Sequence, residues 1–282
     1  MNFGLYNTEV ITSRQNAGVV AACKLLDKKH RDAEKKFRVD GIKLFEEILF
    51  SGVEIETVFL KESSVDRLND RIGEKLESIQ RAKIKVVSDS VFEKMTEEKS
   101  PEGIICVIKH IDKLHKIIKI NNGDSLANEL DGAKIFAVES VRDPGNMGTV
   151  IRTAAAFGVD VLLISSDCAD LYNSRTVRAA MGALFRQKII RVDDLPSALK
   201  ILSDKGRKTY AATLGQSAVL LGEESLSALD CIVVGNEGHG LSDATVEACD
   251  KKILIPMMIG AESLNAAVAA SVCMWEQFGK NI

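Results

Sequence analysis

Paired sulfur ligands are absent from this 282-residue chain. Its six cysteines (Cys23, Cys106, Cys168, Cys231, Cys249, Cys273) form no Cys-x-x-Cys pair, and its four histidines (His30, His110, His115, His239) are dispersed. Neither a metal site nor a disulfide framework is expected. Most cysteines lie in apolar runs such as Cys231-Ile232-Val233-Val234 and read as buried free thiols. Aromatic residues are few. No apolar run approaches the roughly 18–20 residues of a membrane helix. Met1-Asn2-Phe3-Gly4-Leu5 lacks the basic segment that opens a secretory signal, so a cytoplasmic location is the expectation. There is no internal repeat and no low-complexity tract. Neither Gly-x-Gly-x-x-Gly nor Gly-x-x-x-x-Gly-Lys-Ser/Thr occurs, which speaks against a nicotinamide-dependent oxidoreductase or a triphosphate site. A net charge of −3 argues against nucleic-acid binding over the whole surface. It leaves room for a local patch. Lys24, Lys28, Lys29, Arg31, Lys35, Lys36 and Arg38 stand against only Asp27, Asp32 and Glu34 in one short stretch.

The length implies two domains. Residues 1–110 alternate helix and strand signals. Helices are expected at 16–30, 43–50, 66–82 and 89–95, and strands at 37–39, 57–60, 85–87 and 103–108. Residues 111–132 read as a linker, with a turn at Asn121-Asn122-Gly123-Asp124 and a helical turn from Ser125 to Leu130. Residues 133–282 form a second α/β unit. Its strands, at 135–138, 161–164, 209–212, 231–234 and 253–255, are near-continuous apolar runs that suit a parallel sheet covered on both faces. Helices are expected at 149–157, 174–184, 195–205, 242–248 and 265–278. A doubly wound sheet of this kind binds ligands at the carboxyl ends of its strands.

Three strand-to-helix loops stand out. The first is Arg142-Asp143-Pro144-Gly145-Asn146-Met147-Gly148-Thr149-Val150-Ile151-Arg152. Pro144-Gly145 reads as a turn and Asn146 as a helix cap. Arg152, six residues on, can reach back toward a ligand. The second is Gly235-Asn236-Glu237-Gly238-His239-Gly240-Leu241-Ser242, whose glycines allow close backbone approach. Glu237 would repel a polyphosphate, so an uncharged or cationic nucleoside suits this loop better. The third runs from Ile255-Pro256-Met257 to Ser263-Leu264-Asn265, where Ser263 or Asn265 can cap the small-residue helix that follows. Each loop alone fits a plain capped connection.

Together they resemble the three motifs of the SpoU/TrmH branch of the SPOUT superfamily, RNA 2′-O-ribose methyltransferases. The first motif rests on Asn146, Gly148, Arg152, Thr153-Ala154 and Phe157-Gly158. The second rests on Gly235, Glu237, Gly240 and Leu241, and the third on Ile255-Pro256-Met257 and Ser263-Leu264-Asn265. The run from Arg178 to Arg186 is similar to the family's connecting segment. Met181 and Ala266 depart mildly from its usual pattern. Ser13–Arg31 and Phe37–Lys43 resemble the ribosomal-protein-like α/β domain that precedes many such catalytic domains and binds structured RNA.

The resemblance implies a parallel-sheet SPOUT domain with a deep trefoil knot, a homodimer through the knot and last helix, and S-adenosylmethionine as cofactor. By position the cofactor would lie on Thr213, Leu214, Gly215, Gly235, Asn236, Gly240, Ile255, Pro256, Met257 and Leu264. Asn146 would position the ribose and Arg152. Arg152 would act at the 2′-hydroxyl, as base or as an orienting and charge-stabilising group. Glu237 would hold Arg152 or the second loop, and Ser263 and Asn265 would bind substrate phosphate or shape the site. Arg14, Lys28, Lys29, Arg31, Lys36, Arg38 and Arg178 would contact RNA. Ribosomal RNA is the favoured substrate, with transfer RNA or a non-catalytic assembly factor as rival readings. No metal or membrane is implied.

Overall fold

The computed structural model describes residues 9–120, 123–214, 217–236, 238–258 and 263–281. From the N-terminus the elements are α1 (Ala17–Lys24), α2 (Lys28–Glu34), β1 (Lys36–Asp40), α3 (Ile42–Ser51), β2 (Ile55–Lys61), α4 (Val65–Glu77), β3 (Ile84–Val87), α5 (Asp89–Met95) and β4 (Ile104–Lys109). They continue as β5 (His115–Ile118), α6 (Gly123–Leu130), β6 (Ile135–Val138), α7 (Pro144–Ala156), β7 (Val161–Ser165), α8 (Ser174–Ala180) and β8 (Lys188–Val192). The last are α9 (Leu195–Asp204), β9 (Thr209–Ala212), β10 (Val219–Leu220), β11 (Cys231–Val234), α10 (Asp243–Ala248), β12 (Lys251–Leu254) and α11 (Ala266–Gln277). No described helix is long and apolar enough to cross a membrane. The six cysteines are free, four of them buried.

Two compact units emerge. One holds the chain as far as Ile111 together with Tyr172–Phe185, and the other holds Asp112–Leu171 and Arg186 onward. In the first unit, four strands lie in the order β1-β4-β2-β3, antiparallel except for the β2–β3 pair. Val19, Ala22 and Leu25 of the α1 stretch pack on Phe59, Val91 and Phe92. Val65, Leu68, Ile72 and Leu76 form the buried stripe of α4, at the spacing of an amphipathic helix. The helix expected over 16–30 is two helices. Asp27 accepts a hydrogen bond from Lys29 N and starts α2. The Arg31 guanidinium closes α1 by donating to the carbonyls of Leu25 (2.8 Å) and Leu26 (2.6 Å).

The segment from Tyr172 to Phe185 packs within this first unit, although it lies inside the stretch read as the second domain. Tyr172 stacks on Phe37 and His110, with ring centroids 4.3 and 4.1 Å apart, and its hydroxyl accepts from Ile111 N at 2.9 Å. Ser174 donates to Glu97 at 2.7 Å, and Arg178 pairs with Glu98. Helix α8 stops at Ala180 because Met181 and Gly182 adopt positive φ (49° and 89°). A Cβ on Gly182 would fall 2.5 Å from the Glu47 side chain.

The second unit is built on eight strands in the order β10-β12-β9-β11-β6-β7-β8-β5, every pair parallel. β6, β7 and β11 are buried along their whole length, which is why they are continuously apolar. Because β6, β11, β9 and β12 are parallel neighbours, the loops that leave them share one end of the sheet. The stretch 111–132, read as a linker, carries β5, which pairs with β8, and α6, whose Leu126 and Leu130 pack with Leu195 and Leu199 of α9. β5, β8 and β10 were not expected. β5 is an edge strand with little burial, and Lys188 and Arg191 interrupt the apolar pattern of β8.

Candidate active site

The first loop differs from expectation at its start. Pro144 and Gly145 are the first residues of α7, not a separate turn, and Asp143 is the cap: its carboxylate accepts from Asn146 N at 2.9 Å. Proline suits that place because the first helical N–H has no partner to lose. Asn146 therefore lies in the first turn of α7. Its side-chain oxygen accepts from Asn265 Nδ2 at 3.1 Å, which joins the first loop to the third. Asn265 Oδ1 caps α11 at Ala267 N (3.0 Å) and Val268 N (3.3 Å). Two predicted site residues thus meet. Arg152 is exposed on α7, and among the described residues its guanidinium has no hydrogen bond or ion pair.

The second loop is drawn tight. Asn236 N donates to Gly240 O (3.0 Å), and Gly240 N donates to Asn236 O (2.9 Å). A Cβ on Gly235 would lie 2.3 Å from the carbonyl carbon and oxygen of Gly240, so only glycine fits there. The Asn236 side chain accepts from Gly238 N (2.8 Å) and donates to Ser140 O (2.9 Å), tying the second loop to the first. Glu139, buried beside Ser140, accepts from Ser242 N, Ser242 Oγ and Thr245 Oγ1 at 2.8, 2.8 and 2.6 Å. Ser242 also caps α10, as its sequence position suggests. Glu237 and Gly215 lie outside the described residues.

The second and third loops, with the residues that follow β9, enclose a cleft of about 490 Å³. Thr213, Leu214, Gly235, Asn236, Gly240, Ile255, Met257 and Leu264 line it, all of them expected cofactor contacts. Pro256 is exposed and is not among the lining residues, and Ser263, expected to bind substrate phosphate or shape the site, lines the cleft. His239, Ala266 and Ala269 also line it and were not anticipated. The close backbone approach at Gly235 and the apolar walls of Leu214, Ile255 and Leu264 suit a purine nucleoside held by close packing. The residues present fit S-adenosylmethionine.

The basic residues of the first unit divide in two. Lys28 and Lys29 are exposed, with Lys28 in a loose pair with Asp32. Arg14, also exposed, donates to Ser90 O. Arg31 and Arg38 are each only 4% exposed. The first serves the end of α1, and the second pairs with Asp40 at 3.2 Å, so neither guanidinium is presented to a ligand. Lys36 is half-buried against Glu56, whose carboxyl it holds below the usual range, and Arg178 is paired with Glu98. Counting charge along the chain missed these internal partners.

Residues 133–275 match the SpoU rRNA methylase family, and residues 16–106 match the MRM3-like substrate binding domain. The chain is 32% identical over 269 residues to the 23S rRNA (guanosine(2553)-2'-O)-methyltransferase RlmP of Bacillus subtilis, covering 95% of this chain and 99% of that protein. It is 29% identical to the 23S rRNA (guanosine-2'-O-)-methyltransferase RlmB of Haemophilus ducreyi, over 79% of this chain and 88% of the relative. A solved RNA 2'-O ribose methyltransferase is similar with a TM-score of 0.77 at 26% identity, covering 95% and 98% of the two chains. The AdoMet-bound rRNA methyltransferase from Sinorhizobium meliloti is similar with a TM-score of 0.79 at 25% identity, covering 98% and 99%. The chain belongs to the SpoU rRNA methylase family and is an RNA methyltransferase.

Proposed function

We propose that the enzyme methylates a ribose 2′-hydroxyl of ribosomal RNA. The observation that carries this reading is the Asn265–Asn146 hydrogen bond, which joins the substrate loop and its exposed Arg152 to the loop bordering the cofactor cleft. The relatives named for 23S rRNA favour ribosomal over transfer RNA.

S-adenosylmethionine, when bound, supplies a methyl group on a cationic sulfur. Gly235, Asn236, Gly240, Ile255, Met257 and Leu264 would hold it, with Ser263 and His239 at the same walls. Arg152 stays protonated under ordinary conditions, so it cannot readily take the hydroxyl proton. Its role is to orient the 2′-oxygen and stabilise the negative charge that grows there as the proton passes to a substrate phosphate. Asn146, fixed by Asn265, orients the ribose beside it. Glu237 is assigned to steady Arg152 or the second loop. Lys28, Lys29 and Arg14 supply exposed cations for the RNA backbone.

The active form is a homodimer. What supports this is a groove of about 390 Å³ between α7 and α11, where Phe157, Val268, Val272 and Trp275 meet, the last three exposed. The adjacent order β12-β9-β11 is consistent with the knotted connectivity that the family resemblance implies. The bacterial relatives favour the cytoplasm.

The test is methyl transfer from labelled cofactor to 23S rRNA and to transfer RNA, for wild type and Arg152→Ala. The expected result is transfer to 23S rRNA, reduced by about a hundredfold or more in the variant. Cofactor affinity by calorimetry should stay within about twofold, since Arg152 does not line the cleft. An unimpaired variant, or transfer only to transfer RNA, would count against this assignment.

A further inference from the structure

Ser140 has φ +55°, a left-handed conformation that is unfavourable for a non-glycine residue. A network of four hydrogen bonds holds it there. Ser140 N donates to Ser165 Oγ (2.8 Å), and Ser140 Oγ donates to Asp167 Oδ2 (2.6 Å). Ser165 Oγ donates to Asp167 Oδ1 (2.7 Å), and Arg142 donates to Asp167 Oδ2 (2.9 Å). Asp167 stands on a rigid base. The Arg191 guanidinium binds the carbonyls of Ser166 (2.7 Å), Cys168 (3.0 Å) and Ala169 (2.9 Å), and Ala169 N donates to Val141 O (2.9 Å). From this twisted residue the Ser140 carbonyl accepts from Asn236, which organises the mouth of the cleft. Partial burial disfavours the Asp167 charge, but the hydrogen bonds from Ser140, Ser165 and Arg142 outweigh it and bring its pKa down to about 2. It is a carboxylate at every working pH.

We infer that Asp167 is a positioning residue for cofactor binding: it locks Ser140 in the left-handed conformation from which the Ser140 carbonyl holds Asn236 at the cleft. Asp167 does not line the cleft, so it acts only through Ser140. The inference rests on the cleft being the S-adenosylmethionine site. It predicts a specific rescue. Glycine adopts positive φ without penalty, so Ser140→Gly makes Asp167 dispensable.

Calorimetric titration of S-adenosylmethionine into wild type, Asp167→Ala, Ser140→Gly and the double variant tests this, with circular dichroism and melting as controls for folding. Asp167→Ala should bind about tenfold more weakly, and the double variant should return to within about threefold of wild type. In turnover, Asp167→Ala should raise KM for the cofactor while leaving kcat at saturation nearly unchanged. A general loss of structure would lower active fraction and kcat together and would not be cured by glycine at 140. If Asp167→Ala fails to fold, the double variant must fold and bind for the inference to stand. Wild-type affinity in Asp167→Ala, or no rescue by Ser140→Gly, overturns the inference alone. No binding by wild type overturns the cofactor site and the inference together.

Discussion

Gly235→Ala should cripple cofactor binding without unfolding the protein. The added Cβ would sit 2.3 Å from the Gly240 carbonyl and 2.5 Å from Leu241 N, both backbone atoms. Carbon contacts are comfortable only from about 3.5 Å, so the loop must shift by about 1 Å. That shift breaks the reciprocal pair between Asn236 and Gly240, now at 3.0 and 2.9 Å. Each such bond contributes about 0.5–1.5 kcal/mol net, and the pair about 1–3 kcal/mol. Restoring the loop on binding would then cost between about fivefold and about 150-fold in affinity. Gly238→Ala is the control in the same loop, because its Cβ would meet Asn236 Oδ1 at an ordinary 3.5 Å. Calorimetry with S-adenosylmethionine gives the two affinities, and thermal melting reports folding. Equal affinities for the two variants, both folded, would refute the argument that this constriction shapes the cleft.

Two further outcomes follow from the exposure of particular side chains. Lys28→Glu with Lys29→Glu should weaken RNA binding and flatten its salt dependence by about one to two in log–log slope, with the melting temperature unchanged. Arg31→Ala should instead lower stability by about 1–3 kcal/mol in urea unfolding, because it strands the carbonyls of Leu25 and Leu26; the opposite pattern would reverse the division between surface and interior cations. Trp275→Asp, on the exposed face of α11, should shift wild-type dimers to monomers in analytical ultracentrifugation, and a wild type already monomeric at micromolar concentration would remove the dimer from the mechanism.

The cofactor cleft was more legible than the RNA face, and the difference has a physical cause. A glycine that must admit a backbone, or an asparagine that must cap a helix, leaves its mark within a few residues. Gly235 and the capping Asn265 could therefore be read from local sequence, whereas Asn236 came only with the family resemblance, and the same capping rule chose Asn146 where Asp143 caps α7. Arg31 and Arg38 look like surface cations in any window of sequence, because their acceptors lie across a helix end or along a strand. Glu139 and Asp167 escaped notice for the same reason. Glu139 finds its partners more than a hundred residues away, at Ser242 and Thr245. Asp167 looks like a loop aspartate until the chain brings Ser140 against it. The parallel sheet was legible where strands are buried on both faces, and lost at β5 and β10, which lie at its two edges, and at β8, where Lys188 and Arg191 break the apolar run.

The three loops also depend on one another in a way that separates the motif residues into two kinds. Glu139 holds the start of α10 through Ser242 and Thr245, Ser140 holds Asn236, and Asn265 holds Asn146. Several of these side chains have a second duty at a helix terminus: Ser242 caps α10 and Asn265 caps α11. Each tie therefore couples the position of a loop to the start of a helix that is itself packed in the unit. A loop carrying only glycine would be free to approach a ligand but equally free to leave it. Here the glycines allow the close approach, and the carboxylate, hydroxyl and amide ties remove the freedom that glycine would otherwise add. Lining the cleft and fixing its walls are thus distinct tasks. Asn236 performs both, since it faces the cleft and is clamped from behind by Ser140.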